Sequence, residues 1–142
     1  MTRFLLTSIF CALMLSCNEK QTMDSEKARI VRLCETFMQN FRDAKLLAAM
    51  DILRNNSIIS KESIDELYKQ IISQESVFIR YGKVMSYEFV EEKKVKEFLS
   101  KRFYLLRFEH YYSVFQFTIY KGSNGWTITH FKFDDELAEV LN

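Results

Sequence analysis

Three thiols and two imidazoles are the groups in this chain best suited to do chemistry, and their spacing limits what they can do. His110 and His130 lie 20 residues apart, and neither forms a short-spaced set with Cys11, Cys17 or Cys34. No metal site or other cofactor is therefore expected. Cys34 shares a helical stripe with Ile30, Phe37 and Phe41, which predicts a buried, unreactive thiol. His110 falls on the same strand face as Tyr104, Leu106 and Phe108, where it could reach a cavity rim. A general base needs a partner that tunes its pKa, and nothing at a telling spacing supplies one. A histidine hydrogen-bonded near a bend is the simpler reading, and His130, alternating with Trp126 and Ile128, is read alike. Arg107 and Glu109 read as an exposed pair and Glu88 as solvated. No catalytic residue is assigned.

Cys17 is set apart by what precedes it. Arg3 gives a short positive start, and Phe4 to Leu15 is almost wholly apolar. The run is about 13 residues, against the roughly 20 that a helix needs to cross a bilayer. It fits the apolar region of a secretion signal, with the small Ser16 before the cut. Met14-Leu15-Ser16-Cys17 resembles the lipobox of bacterial lipoproteins; Ser16 and Cys17 carry the match, while Met14 and Leu15 depart from the usual pair. Phe10 makes Cys11 a poorer candidate. The resemblance implies cleavage between Ser16 and Cys17, lipidation of Cys17, and a cell-envelope protein held to a membrane by its lipid. Asn18 favours the outer membrane under the enterobacterial sorting rule. Residues 17–25 then read as a polar tether. An uncleaved anchor or a non-lipidated signal is the other reading of the same run.

Loss of residues 1–16 removes one charge, Arg3, and leaves 19 basic and 19 acidic residues. Such a neutral chain offers no basic field for nucleic acid. With Cys17 acylated, Cys34 stands alone and no internal disulfide forms. Thirteen Phe and seven Tyr supply ample core material for one domain.

The elements follow from period and punctuation. Asp24 and Ser25 are plausible caps for a helix starting near Glu26, with its stripe at Ile30, Cys34, Phe37 and Phe41. A second helix is expected from Ala44 to about Arg54. A third is expected from a Ser60 cap to Gly82, where the left-handed conformation ends it. Val84–Glu91 then alternates with a period of two, as a strand does. Glu92–Lys101 reads as a charged connection. Arg102–His110 and Tyr112–Lys121 read as strands separated by a bend at Glu109-His110-Tyr111. Gly122-Ser123-Asn124-Gly125 marks a hairpin turn before a last strand, Trp126–Phe133. Asp134–Asn142 is either a short helix or a frayed tail. Helices followed by closely joined strands predict an α+β domain at 26–142, with three helices packed on a curved, four-stranded antiparallel sheet.

That order, with Tyr81-Gly82-Lys83-Val84 leading the first strand and Gly125-Trp126 opening the last, resembles the nuclear-transport-factor-2-like (cystatin-like cone) superfamily. It is similar in particular to small envelope proteins of that superfamily. The resemblance implies a cone-shaped cavity between a long first helix and the sheet. In ketosteroid-isomerase-like members a helical Tyr and a strand Asp do the chemistry, whereas the matching positions here hold Phe37, Phe41 and no Asp.

Bulky residues are expected on both sheet faces: Trp126 and Ile128 opposite Phe131 and Phe133, and Phe115, Phe117 and Ile119 opposite Val114 and Tyr120. The second face should therefore meet the tail, a second copy of the chain or a partner. Tyr104, His110, Phe115, Phe117, Trp126 and Phe131 form the candidate cavity or partner face. The expected role is a non-catalytic lipoprotein that binds an apolar small ligand or assembles with a protein or its own copy. The alternative is a small isomerase- or hydrolase-type cavity enzyme with His110 as base.

Overall fold

The computed structural model describes the backbone of residues 7–141 and the side chains of residues 25–141. The expected leader, the Ser16–Cys17 cut and the lipid site on Cys17 lie outside the described side chains. Helix α1 spans Thr7–Arg42, so it does not start near Glu26, and the expected tether is helical. Between Asn18 and Lys27 there is no Gly or Pro to stop a helix, and Glu, Lys, Gln and Met favour one.

Of the expected stripe, Ile30, Cys34 and Phe37 are buried and Phe41 is partly so, and Met38 beside them is buried too. The helix then stops in a Schellman-type turn, in which the Lys45 amide donates to the Asn40 carbonyl and the Ala44 amide to Phe41. Ala44 sits there with φ 58°, the place where glycine is usual. Helix α2 (Leu46–Asn56) buries Ala49, Met50 and Leu53. Helix α3 (Lys61–Ser73) has the predicted cap, with the Ser63 amide 3.1 Å from Ser60 Oγ.

The stretch expected as one helix up to Gly82 breaks at Gln74, and α4 (Glu75–Tyr81) continues in a new direction. The break lets α3 bury Ile64 and Ile71 while Phe78 and Tyr81 of α4 reach Phe108. Among the described residues four helices, not three, precede the sheet.

Strands β1 (Val84–Lys96), β2 (Leu99–Phe108), β3 (Tyr112–Gly122) and β4 (Gly125–Asp134) form an antiparallel meander in the order β1-β2-β3-β4. The class is α+β. The expected connection at Glu92–Lys101 is instead strand, turning tightly at Glu97-Phe98 with Lys96 opposite Leu99. Its charges suit an edge strand, which has solvent on one side.

Bulges decide which residues face α1. In β1, Met85, Val90 and Val95 are extra residues opposite β2. All three point to solvent, and the helix-facing set becomes Val84, Tyr87, Phe89, Glu92 and Lys94. In β4 the extra residue is Thr129, since Thr118 pairs with His130 and Ile119 with Ile128. Simple alternation put Trp126 and Ile128 opposite Phe131 and Phe133. The bulge corrects this, placing all four on the helix side. Along the outer edge of β4, the Ile58 amide donates to the Ile128 carbonyl in a short parallel bridge.

On the other sheet face Lys93, Lys101 and Lys132 converge on Glu139 of helix α5 (Ala138–Leu141) and tie the tail to the sheet, and Phe103 and Gln116 of that face are buried. Lys93 also lies 5.6 Å above the Phe103 ring.

Gly82 joins the two layers. Its φ of 83° and ψ of −164° belong to a region that is open essentially to glycine alone. The β2–β3 turn clasps it: the Glu109 amide donates to Lys83, the His110 amide to Tyr81, and Glu109 Oε2 accepts from the Lys83 amide. A Cβ at Gly82 would stand 2.7 Å from that carboxylate oxygen. Gly82→Ala is expected to lower stability by about 1–3 kcal/mol, read as a lower midpoint in denaturant with an unchanged slope. An unchanged midpoint would mean that this conformation is not required.

Candidate functional site

The predicted aromatic candidates come together in the core. Tyr104, Phe115 and Phe117 have no solvent exposure, and Phe131 and Trp126 are nearly as buried. Phe37 stands 5.3 Å from Phe117 and 4.9 Å from Phe131, and Phe41 stands 4.9 Å from Phe115. These rings therefore meet α1 and present no outward partner face. Trp126 alone among them borders open space, at the hairpin end of the sheet. His110 is separated from the others: it is exposed in the β2–β3 turn, beside Gly82.

Sequence reasoning missed a polar cluster on the buried face. Arg102 of β2 stands directly opposite Glu92 of β1, and its guanidinium donates to the Glu92 carboxylate at 2.6 Å. It also donates to the Tyr104 hydroxyl at 3.2 Å and lies 3.5 Å from Glu35 of α1. The Tyr104 hydroxyl in turn donates to the Glu35 carboxylate in a 2.8 Å hydrogen bond. Lys27 of α1 closes on the second Glu92 oxygen, and Phe89 stacks on the guanidinium at 4.4 Å. The signal was present in the sequence: Arg102 is a charge in the otherwise apolar alternation that leads to Tyr104, Leu106 and Phe108.

The electrostatics are those of a clamp. Burial alone would raise the Glu92 carboxyl, but hydrogen bonds from Lys27 and Arg102 outweigh it and hold the group below the usual carboxylate range. Burial pushes the Tyr104 phenol well above its ordinary value, despite the hydrogen bond from Arg102. Burial likewise pushes the Cys34 thiol up to about 12, which leaves it protonated and unreactive near neutrality. Charges inside the cluster are matched to one another, and α1 is tied to β1 and β2 through them.

At the opposite end of α1, the breaks at Ala44 and Gln74 leave a cleft of about 430 Å³. Phe41, Phe78 and Phe108 line it, with Leu46, Ile71 and Val84 as further walls. Ile72 and Ile79 stand at its mouth, 49% and 72% exposed. Glu75 is its one charged lining residue. A cleft of this size and lining suits the carbon part of a small molecule. Among the described residues no group of three His, Cys, Asp or Glu side chains could hold a metal ion. Also among the described residues, no helix is long and apolar enough to cross a membrane.

The lowered Glu92 pKa fixes the sign of a pH effect. A carboxylate with a depressed folded pKa stabilises fully above its unfolded value, about 4.3, and loses that contribution as pH falls through the folded value. Glu92→Gln should cost about 1–3 kcal/mol at pH 7, with the gap to the unaltered chain narrowing below about pH 4. Urea midpoints measured from pH 3 to pH 7 check this; a constant gap would show that the carboxylate charge is not what holds the clamp. A comparison with protein-family models, with curated proteins and with solved structures finds none that matches this chain.

Proposed function

We propose that this chain is a lipid-anchored bacterial envelope protein, and that it is a non-catalytic binding module which holds an apolar small molecule in the cleft walled by α3 and α4. The observation that carries the binding role is the cleft itself, about 430 Å³ with a single charged group on its lining. A domain that buries so many rings elsewhere leaves Ile72 and Ile79 exposed at this mouth, and apolar surface gathered around a concavity is the usual mark of a ligand site. The clamp supports the non-catalytic reading: Tyr104, Arg102 and Glu92 are engaged with one another, and the phenol pKa lies too high for proton transfer near neutrality. His110 lines none of the described cavities, which weighs against the enzyme alternative.

The order of helices and meander agrees with a nuclear-transport-factor-2-like cone. We take that as the fold, with the cleft as the open part of the cone and the rest of its interior filled by aromatic rings. The anchor rests on the apolar run ending in Ser16-Cys17. Several acyl chains, at about 0.8 kcal/mol per buried methylene, hold a protein at a bilayer without a spanning helix. The outer membrane is the favoured location.

Two measurements address the two halves. The N-terminal peptide of the protein extracted from its native membrane should begin at Cys17 and carry a diacylglyceryl group and an acyl chain by mass, and Cys17→Ser should keep residues 1–16. A bare Cys17 or a retained leader in the unaltered chain refutes the anchor. Separately, the full chain with labelled isoleucine methyls is titrated with decanol. Ile71, Ile72 and Ile79 should shift while Ile30, Ile64 and Ile119 stay, and Ile79→Asp should weaken the response about tenfold, the loss of one buried apolar contact plus an unpaired charge. Shifts spread evenly over all isoleucines, or none, dispose of the cleft as a binding site.

A further inference from the structure

The pocket at the hairpin end of the sheet, remote from the apolar cleft, has the opposite chemistry. It encloses about 340 Å³ between the Glu97-Phe98 turn, Lys27 of α1 and the β3–β4 hairpin. The backbone brings the two hairpins together, with the Lys121 amide donating to the Phe98 carbonyl at 2.8 Å. On the helix-facing side Trp126 stands directly opposite Lys121, and Lys27 of α1 lies 5.2 Å above the Trp126 ring. The Val95 bulge sends Val95 to solvent and leaves Lys94 and Lys96 on the pocket wall.

Four ammonium groups thus surround an aromatic floor, against one lining carboxylate, that of Glu97 in the exposed turn. Lys27 is shared with Glu92. Lys94 and Lys96 make no ion pair with any described residue. Like charges gathered at one concavity repel, and an anion with several oxygens relieves this more than a singly bonded one. Lysine on a flexible stem serves a phosphate as a point charge from any direction, where a planar carboxylate would favour an arginine fork. Trp126 and Phe98 offer apolar surface to the carbon next to the charge.

We propose that this pocket binds a phosphate ester, either a phospholipid headgroup or a soluble phosphate. Lys94, Lys96 and Lys121 meet the oxygens, and Trp126 is the floor.

Trp126 is the one tryptophan of the chain, so its fluorescence reports on the pocket directly. The full chain in nonionic detergent is titrated at constant ionic strength with inorganic phosphate and with glycerol phosphate. It is also reconstituted in phosphatidylcholine vesicles with and without phosphatidylglycerol. A saturable change in Trp126 emission with the soluble phosphates identifies a free phosphate as the ligand. A change confined to the phosphatidylglycerol vesicles identifies a headgroup. The double variant Lys94→Gln, Lys96→Gln should raise the half-saturating concentration about tenfold or more, since two near-surface ammonium contacts are lost. Lys61→Gln, on α3, should leave it unchanged. No emission change with any of these anions overturns the proposal, as does a double variant that responds like the unaltered chain or like Lys61→Gln.

Discussion

The seating of Phe37 in the aromatic face of β3 and β4 is the contact on which the rest of the architecture depends. The ring meets Phe117 edge-on and Phe131 at a tilt, an arrangement in which the positive rim of one ring faces the negative face of another. Full burial of one such side chain contributes about 1.5–3 kcal/mol, and Phe41, Phe115 and Tyr104 extend the same seam. Because the seam fixes α1 along the sheet, it also fixes what lies at either end of α1. Along Lys27 to Glu35 the clamp and the lysine pocket form; past the end of the helix, where Ala44 turns the chain, the apolar cleft opens.

The clamp complements the seam by a different kind of physics. Aromatic burial is tolerant of small shifts, whereas the planar Arg102 fork donates to Glu92 and Tyr104 and pairs with Glu35 only over a narrow range of angles. A buried ion pair adds little net stability when its desolvation is counted. Its geometry ties one placement of α1 to the sheet, because Arg102 meets Glu92 of β1 and Glu35 of α1 together.

Much of this was legible in the residues. The three- and four-residue stripe on α1, the Ser60 cap, the glycine stop at Gly82 and the turn at Gly122-Ser123-Asn124-Gly125 each carry a local steric or hydrogen-bonding reason, and each stands where expected. The failures share a cause. Ala44 ends a helix in a conformation its own side chain disfavours, so only the packing beyond it explains the turn. Met85, Val90, Val95 and Thr129 look like ordinary strand residues, yet each bulge reverses the alternation downstream, and in β4 that reversal brings Trp126, Ile128, Phe131 and Phe133 onto one face. The cleft was hidden for the same reason, being built from residues far apart in sequence that meet through the breaks at Ala44 and Gln74. Arg102 is the exception, a charge in an apolar run that marked its own importance.

The bulged, charged β1 and the bridged β4 bear on how this molecule meets its own copies. A sheet grows by offering an unpaired row of amides to another strand. Here one border is kinked at three places and studded with Lys and Glu, and the other is partly occupied by Ser57 and Ile58. Native molecules thus offer little unbroken edge for another strand to join. The Phe115, Phe117 and Phe131 rings are buried under α1, so they could meet another chain only after that helix had left the sheet.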